Sequence, residues 1–388
     1  MFPTSRIELS RSALKKNLKF LLKQIGVNVC LELVVKANAY GHGIQTFLPM
    51  AESYGISHFS TFSACEAYSA WRCKSGKSEI TIMGDIEKEA LSWAIENKIS
   101  FHVFDEHQLF NAIEFAKKVG QPARIHLELE TGMNRLGLEE KNLEKWTQTI
   151  KASQKDLVIV GTCSHLAGAE NIANYVRIAS QIETFHRLCG LLKENGLKTG
   201  LKHLSSSAGI FCYPEAILDQ VRVGISAYGF WPTQEVKMRY MVQNGLEKNK
   251  RSASPLHRVL SWKSRVMSLK SVSPGKFVGY GTSYLTSHPI KVAVIPVGYW
   301  DGFARNLSNR GRVLIGGKRC SVVGTINMNM CLADVTNVRN VQIGDEVVLI
   351  GRQERCEISV SSFSNIADDL NYEILVRLLE DIPRTVVN

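Results

Sequence analysis

The sequence predicts an α/β protein in which a (β/α)8 barrel of the TIM type is followed by a mainly antiparallel β domain. Three observations support this fold class. Between residue 30 and about residue 225, eight short β-rich runs alternate with longer helical patterns. From about Val259 the helical periodicity fades, and β-rich runs separated by glycine and proline dominate. A chain of 388 residues is too long for one average domain and comfortable for two.

The eight barrel strands are short apolar runs of the kind that is buried on both faces of a sheet. Their predicted bounds are 30–35, 58–62, 79–83, 99–104, 123–129, 157–163, 201–205 and 220–223. Helical patterns between them cover 64–74, 87–97, 106–119, 141–152 and 172–195, and each begins or ends at polar residues or glycine. A doubly wound open sheet is the alternative. It would usually carry a glycine-rich turn after its first strand, where this chain has Lys36.

The second domain is predicted from β-rich runs with a last helical piece at 360–370. The runs are 259–268, 278, 291–296, 312–315, 321–323, 330–335 and 346–350. We therefore expect a barrel over residues 10–240 and a β domain over residues 241–388. Whether residues 1–9 add a strand to the β domain through 6–9 stays open.

The composition indicates a protein that is neither membrane-bound nor a nucleic-acid binder. Hydrophobic residues make up 45% and charged residues 21% of the chain, which is ordinary for a soluble globular protein. No run approaches about 20 apolar residues, and the charged first segment lacks the apolar core of a signal peptide. The formal charge of +11 is spread along the chain, and the locally basic segment 237–258 has no aromatic interleaving.

The nine cysteines predict reduced thiols and a cytoplasmic location. Their number is odd, and no spacing resembles a paired CxxC or a zinc site, so no metal is expected.

The most informative stretch is LELVVKANAYGHG, residues 31–43, in which an apolar strand ends at Lys36 and passes directly into a turn. A lysine at the end of a buried strand is held by a rigid element, close to apolar surroundings that disfavour its charged form and improve the amine as a nucleophile. On this pattern alone, the alternative is a structural lysine whose stem lies along apolar surface while its ammonium group stays in water. The turn, however, contains more polar groups and glycines than a simple turn requires.

Other polar side chains follow later barrel strands, where the loops of a TIM barrel assemble its active site. Arg135 follows the fifth strand in ETGMNRLG, and His165 follows the sixth in CSHLAG. Ser206 follows the seventh in HLSSSAG, and Gly224 and Ile225 follow the eighth in VRVGISAYG. The last two strands of such barrels often hold a phosphate group.

In the second domain, VGYGTSY places Tyr280 between Gly279 and Gly281. Glycines on both sides permit a tight corner that exposes the side chain, so Tyr280 is a candidate acid or base. A structural tyrosine in a hairpin is the alternative reading.

These stretches resemble the alanine racemase family, whose pyridoxal-phosphate lysine motif is similar to VVKANAYGHG and whose catalytic-tyrosine motif is similar to VGYGTSY. VGYWDG (297–302) and GTINMN (324–329) resemble its substrate-entry and carboxylate-binding segments. The resemblance covers nearly the whole chain. It implies that Lys36 carries pyridoxal 5′-phosphate and that Lys36 and Tyr280 are the two catalytic bases, acting on the D-alanine and L-alanine faces respectively.

The resemblance also implies the binding roles of other residues. His165 packs on the pyridine ring, Arg222 faces the pyridine nitrogen, and Arg135 faces the phenolic oxygen and the substrate. The implied phosphate contacts are Tyr40, Ser206, Gly224, Ile225 and Tyr372. Met328 and Tyr299 contact the substrate or its entry path, and head-to-tail homodimers place Tyr280 and Met328 of one subunit at Lys36 of the other.

The resemblance implies interconversion of L- and D-alanine, with D-alanine supplied for peptidoglycan. A racemase of serine or of broader range, a barrel-type amino-acid decarboxylase and a non-catalytic pyridoxal-phosphate carrier are the alternatives.

One stretch departs from the family pattern. Where many members have a carbamylated lysine two residues before Asp-Thr-Gly-Met, this chain reads LELETGMNRLG, with Glu128 at the lysine position and Asn134 where glycine is common. We expect Glu128 to point into the barrel and to fix Arg135 by a charge-assisted hydrogen bond. Activity would then not depend on bicarbonate. The alternative is that Glu128 points outward to a helix.

Overall fold

The computed structural model describes residues 3–246, 254–362 and 371–388. The described residues form two compact units. The barrel unit lies in residues 13–37 and 48–257, and the β unit lies in residues 1–12, 38–47 and 258–388. The chain therefore leaves the barrel unit directly after Ala37. The domain boundary expected between residues 240 and 241 stays a prediction.

The strands are, in chain order, β1 (Arg6–Ser10), β2 (Cys30–Val34), β3 (His58–Thr61), β4 (Glu79–Ile82), β5 (Ser100–Val103), β6 (Ala123–Glu128), β7 (Leu157–Cys163), β8 (Leu201–Ser206), β9 (Gln220–Val223), β10 (Leu260–Arg265), β11 (Ser268–Val272), β12 (Ile290–Ile295), β13 (Arg312–Ile315), β14 (Lys318–Ser321), β15 (Cys331–Asp334), β16 (Glu346–Gln353), β17 (Cys356–Ile358) and β18 (Arg384–Val387).

The helices are α1 (Arg11–Ile25), α2 (Lys36–Tyr40), α3 (Ile44–Glu52), α4 (Ala64–Cys73), α5 (Lys88–Glu96), α6 (Glu106–Val119), α7 (Leu143–Ala152), α8 (Tyr175–Glu194), α9 (Gly209–Cys212), α10 (Gln234–Gln243) and α11 (Asn371–Val376). Among the described residues, no helix is long and apolar enough to cross a membrane. The helix predicted at 360–370 falls largely outside the described residues.

Strands β2 to β9 form a closed parallel barrel, which confirms the predicted fold. Closure is achieved by the pairing of β2 with both β3 and β9, so that Leu33 lies opposite Phe59 on one side and Val223 on the other. The predicted strand ends agree with the structure to within one residue, because strands buried on both faces are nearly continuous apolar runs that polar residues interrupt sharply. Buried side chains such as Leu33, Phe59, Phe101 and Val221 fill the barrel unit.

One glycine makes room for polar side chains inside the barrel. A Cβ atom added to Gly161 on β7 would lie 2.4 Å from Nδ1 of His126 on β6. His126 in turn contacts His203 on β8, so the two histidines meet across the strand that carries Gly161. Only a residue without a side chain at position 161 leaves space for this contact.

Gly161→Ala should lower the free energy of unfolding by about 1–3 kcal/mol, because the new methyl group overlaps a buried imidazole. The matched control is Gly190→Ala on α8, where no atom lies within 4 Å of the added Cβ. That control should be neutral or stabilising by up to about 1 kcal/mol, because alanine favours a helix. Urea denaturation of the three proteins measures both effects. Equal stability of Gly161→Ala and Gly190→Ala would contradict the argument.

The described residues of the β unit form two sheets. The larger one has the strand order β14-β13-β16-β10-β1-β18, with β17 added beside β16. The N-terminal strand β1 pairs antiparallel with β10 and parallel with β18, so Ile7 lies opposite Trp262 and Arg384. The smaller sheet is β11-β12-β15. Strands β11, β14, β17 and β18 were not predicted beyond a shared end residue, and position 278 is in no strand. Each of these four strands is short, and its pairing partner, rather than its own pattern, selects the extended conformation.

Candidate active site

Lys36 follows the first barrel strand, and the structure gives its amine a lowered pKa. The N–H of the preceding residue, Val35, donates to the Ser60 carbonyl and so extends the pairing of β2 with β3 up to Lys36. Partial desolvation by the surrounding protein and the positive charge of Arg135 lower the pKa of Lys36, whereas Glu66 opposes them. In the described parts of the chain, no hydrogen bond or ion pair involves the ammonium group. A larger fraction of neutral amine favours nucleophilic attack on a carbonyl group.

The turn after Lys36 has an unusual backbone. Four consecutive residues in α2, Ala37 to Tyr40, have φ angles of +51° to +53° and therefore form a left-handed helical turn. Each such residue costs about 1–2 kcal/mol relative to the right-handed form. Within the barrel unit, the Glu66 carboxylate offsets part of this cost by accepting from the Ala37 and Phe62 N–H groups at 2.5 Å and 2.8 Å. Strain of this kind is common next to functional residues.

The β unit fixes the other end of this turn. Asn38 Oδ1 accepts from the Ile44 N–H at 2.8 Å, and Arg384 donates to the Gly41 carbonyl at 3.0 Å. Gly41 itself has a φ of +74°, and a Cβ there would lie 1.9 Å from the Leu375 carbonyl oxygen. Asn38 and Gly41 are therefore explained by the backbone conformation of this turn.

His42, at the end of the same motif, is fully buried and provides a pH test. Its Nδ1–H donates to the Tyr40 carbonyl at 2.9 Å, and its ring lies 5.9 Å from that of Phe47. Burial lowers the pKa of His42 to about 3, with a further contribution from Arg384.

An unfolded histidine binds a proton near pH 6.5. Between pH 6.5 and about 3 the unfolded chain therefore holds a proton that folded His42 lacks.

His42→Gln keeps an N–H donor and removes this titration. The stability of wild type should fall more steeply with decreasing pH than that of the variant, by at most about 1.4 kcal/mol per pH unit. Urea unfolding at pH 7, 6, 5 and 4 measures the difference. Exposed His107→Gln is the control, and a His42→Gln curve parallel to wild type would refute the argument.

A chain of hydrogen bonds crosses the barrel interior from Arg222. Arg222 donates to Nδ1 of His203 and, at 2.6 Å, to the Ser164 carbonyl. His203 Nε2 lies 2.9 Å from Nδ1 of His126. An arginine can only donate, so His203 accepts at Nδ1, carries its proton on Nε2 and passes a hydrogen bond to His126. Burial and the charge of Arg222 hold the pKa of His203 well below its usual range, in agreement with a neutral ring.

Glu128 points into the barrel, as expected, but its hydrogen-bond partner is His102. The His102 ring lies 6.0 Å from that of His203, which is three strands away, and such a contact is possible only inside the barrel. Nδ1 of His102 lies 2.9 Å from Glu128 Oε2. The hydrogen bond expected between Glu128 and Arg135 is not found among the described residues. His102 is on the strand that pairs with the one carrying Glu128, and its ring therefore lies within hydrogen-bond distance of the carboxylate.

The electrostatics of this pair favour its charged form. Burial raises the pKa of Glu128, but the His102 hydrogen bond and the charges of His102, Arg222 and Arg135 outweigh it and lower the pKa overall. Burial opposes a charged His102, whereas the neighbouring Cys163 and Glu128 raise its pKa to about 10. Arg135 therefore acts on Glu128 through its charge rather than through a hydrogen bond.

Sequence reasoning missed this polar interior, although a signal was present. His126 and Glu128 are two residues apart on β6, so strand alternation places both on one face. The missed residues are His102, His126, Cys163 and His203.

Arg135 lies on an exposed loop after β6. The Glu130 carboxylate accepts from the backbone N–H groups of Gly132 and Arg135 and so fixes the turn. Asn134 has a φ of +57°, which explains why glycine is common there and why asparagine is an acceptable replacement.

The residues expected to contact the ring and the phosphate lie at or just after the ends of the last three barrel strands. Burial and the charges of Arg222 and Arg135 lower the pKa of His165 to about 3, so its ring is neutral. Ser206 is half-buried at the end of β8. The Gly224 N–H already donates to Ser207 Oγ at 3.1 Å. The Ile225 N–H has no hydrogen-bond acceptor among the described residues.

The β unit carries the remaining predicted residues. Tyr280 is 74% exposed, and Gly279 and Gly281 on either side of it have φ angles of +76° and +70°. Thr325 Oγ1 donates to the Tyr280 carbonyl at 3.3 Å and ties this corner to the GTINMN segment. In the same unit, the backbone N–H groups of Tyr299 and Trp300 donate to carbonyl oxygens of that segment.

Two other predicted residues lie together in the β unit, where the ring centroids of Tyr40 and Tyr372 are 6.1 Å apart. The structure thus groups Lys36, Arg135, His165, Ser206, Arg222, Gly224 and Ile225 in the barrel unit, and Tyr40, Tyr280, Tyr299, Met328 and Tyr372 in the β unit.

Comparison with known proteins finds similarity along nearly the whole chain. The family model described as alanine racemase, N-terminal domain, matches residues 9–232, and the one described as alanine racemase, C-terminal domain, matches residues 259–386. An alanine racemase of Leptospira interrogans is 32% identical over 388 residues, which cover 99% of this chain and 96% of the relative.

Solved structures give the same result. The alanine racemase of Streptomyces lavendulae has a TM-score of 0.90 and 27% identity, covering 100% of this chain and 98% of that one. The alanine racemase of Bartonella henselae, solved with covalently bound pyridoxal phosphate, has a TM-score of 0.84 and 25% identity and covers 100% of both chains. With both family domains matched and a relative above 30% identity along its full length, the chain belongs to the alanine racemase family.

Proposed function

We propose that the protein is an alanine racemase that interconverts L- and D-alanine with pyridoxal 5′-phosphate. The observation that carries the proposal is the Lys36 amine, which follows the first barrel strand and has a lowered pKa. Membership of a pyridoxal-phosphate-dependent family supports it. Supply of D-alanine for peptidoglycan is the expected role. A cytoplasmic location is supported by the nine cysteines, all of them described and all free thiols.

The barrel residues fit the cofactor. An amine of lowered pKa suits covalent attachment to an aldehyde. The free Ile225 N–H and the half-buried Ser206 would bind a phosphate, with Gly224, Tyr40 and Tyr372 as the further proposed contacts. When bound, pyridoxal 5′-phosphate supplies an electron sink for the charge left by loss of the α-proton.

The remaining barrel residues would set the electrostatics of the ring. Arg222 cannot give up a proton, so it would hold the ring nitrogen without protonating it. His203 is neutral, so it does not offset the positive charge of Arg222. Among the described residues, no carboxylate forms a hydrogen bond with Arg222. Neutral His165 is suited to packing on an aromatic face, and Arg135 to binding the phenolic oxygen or the substrate carboxylate.

Racemisation requires a proton to leave one face of the α-carbon and to return to the other. We assign Lys36 to the D-alanine face and Tyr280 to the L-alanine face. The exposed side chains of Tyr280, Tyr299, Trp300 and Met328 favour a head-to-tail homodimer, because large apolar groups are seldom left in water without a partner. In this dimer Tyr280 and Met328 of one subunit complete the site around Lys36 of the other, with Tyr299 on the entry path.

The test is incubation of the purified holoenzyme with L-alanine, with D-alanine and carbon dioxide measured in parallel. We expect D-alanine without gas release. Gas release would identify a decarboxylase, and neither product would identify a carrier. The ratio of kcat/KM for alanine to that for serine decides the substrate, and a larger value for serine would overturn the assignment. Activity independent of bicarbonate is also expected, because Glu128 already supplies a buried carboxylate.

A further inference from the structure

Three side chains of the type that binds metals meet inside the barrel. His102, Glu128 and Cys163 come from the neighbouring strands β5, β6 and β7, and they are 3%, 7% and 1% exposed. Their ligand atoms all lie within 4.8 Å of one another. His102 Nδ1 is 2.9 Å from Glu128 Oε2 and 3.7 Å from Cys163 Sγ. Because all three are on barrel strands, the backbone fixes their mutual positions.

The sulfur–nitrogen distance of the cluster fits a single tetrahedral ion, and all its ligand atoms lie within 4.8 Å of one another. Zinc bonds of about 2.0–2.3 Å separate the ligand atoms of one ion by about 3.3–3.8 Å. The sulfur–nitrogen distance of 3.7 Å falls in this range. The nitrogen–oxygen distance is shorter because a hydrogen bond now joins the two atoms. A cation between His102 Nδ1 and Glu128 would replace the proton of that bond and separate the atoms slightly.

The donor set also fits zinc chemically. Imidazole, carboxylate and thiolate are its usual ligands, and thiolate disfavours magnesium and calcium. One carboxylate and one thiolate together balance the charge of a divalent cation, which lowers the cost of burying it. Arg222 donates to His203 and to the Ser164 carbonyl, so it does not occupy the Glu128 oxygens.

We propose that His102, Glu128 and Cys163 form a binding site for one Zn²⁺ ion, with the fourth position open to water. Spacing in the sequence gives no sign of such a site, because Glu128 and Cys163 are 26 and 61 residues away from His102. The three ligands meet only because parallel strands next to one another place their side chains on one inner surface.

The experiment uses the holoenzyme freed of metal by a chelator and gel filtration. Calorimetric titration with Zn²⁺ should show about one tight site per chain. His102→Gln and Cys163→Ala should each weaken this binding by at least about tenfold, since each removes one of three ligands. Cys189→Ala is the matched control, because Cys189 is a buried thiol of the same unit outside the cluster. It should bind Zn²⁺ as wild type does.

A second measurement keeps the test decisive if a variant fails to fold. Cd²⁺ added to wild type and to Cys189→Ala should produce the ultraviolet charge-transfer band of a metal thiolate in both proteins. Absence of tight Zn²⁺ binding in wild type, or equal binding by wild type and both folded cluster variants, would overturn the proposal. The readout is metal binding, so a negative result would leave the proposed racemase activity unaffected.

Discussion

Replacing Lys36 with alanine should lower the rate of D-alanine formation from L-alanine by about 10³-fold or more. The change removes both the proposed attachment point of the cofactor and one of the two proposed bases, and a positioned acid or base alone is worth about 10²–10⁴-fold. The fold should survive, because the Lys36 side chain is exposed and its ammonium group has no hydrogen bond to any described residue. A coupled assay for D-alanine measures the rate, and circular dichroism monitors folding.

Lys77→Ala is the control for this prediction, since Lys77 is an exposed lysine on a loop of the same unit. It should keep the wild-type rate. Racemisation by Lys36→Ala at more than about a tenth of the wild-type rate would contradict the assignment of Lys36 as attachment point and base.

Tyr280→Phe should lower racemisation by about 10²–10⁴-fold while leaving the visible absorbance of the bound cofactor unchanged. The substitution removes one hydroxyl group from a side chain that is 74% exposed, so no core packing is lost. Because Lys36 is retained on the D-alanine face, exchange of the α-proton of D-alanine with deuterated solvent should persist. Exchange from L-alanine should be lost together with racemisation. Proton NMR in deuterated buffer separates the two.

Tyr284→Phe is the matched control, because Tyr284 lies four residues away and packs against the buried cluster around Val278. It should racemise at the wild-type rate. Wild-type racemisation by Tyr280→Phe would refute the two-base assignment, whereas equal loss of exchange from both enantiomers would show that Tyr280 does not act on one face only.

Mixing the two inactive variants tests the proposed dimer. In a heterodimer of Lys36→Ala and Tyr280→Phe subunits, one shared site combines the intact Lys36 of one chain with the intact Tyr280 of the other. Random exchange of subunits should therefore restore about a quarter of the wild-type activity. No recovery after demonstrated subunit exchange would mean that each site takes both residues from one chain.

The local pattern of the chain was sufficient to predict the barrel and the position of Lys36 at the end of its first strand. Strands buried on both faces give continuous apolar runs such as 30–35 and 220–223. The polar residues that end these runs can be recognised from the sequence without knowing which strands pair. Lys36, Arg135 and His165 could be located in the same way, since each follows such a run. Glycine and asparagine at positions 41 and 134 marked places where the backbone has positive φ.

Other features depended on contacts between residues far apart in the chain. His126 and His203 are 77 residues apart and meet only because Gly161 leaves space between them. Strand alternation alone did not decide the direction of Glu128, because both faces of a barrel strand are buried; the inward direction was expected from the resemblance to the family motif. His102, on the neighbouring strand, makes the hydrogen bond to Glu128 that was expected from Arg135.

The sequence by itself thus determined the order of strands and helices and the lysine at the end of the first barrel strand, because these depend on the chemistry of neighbouring residues. The tertiary structure decided the left-handed turn after Lys36, the neutral histidine chain behind Arg222 and the meeting of His102, Glu128 and Cys163. The physical reason is that closure of the barrel and the tight packing of its interior set the distances between these side chains, and no local sequence pattern encodes those distances.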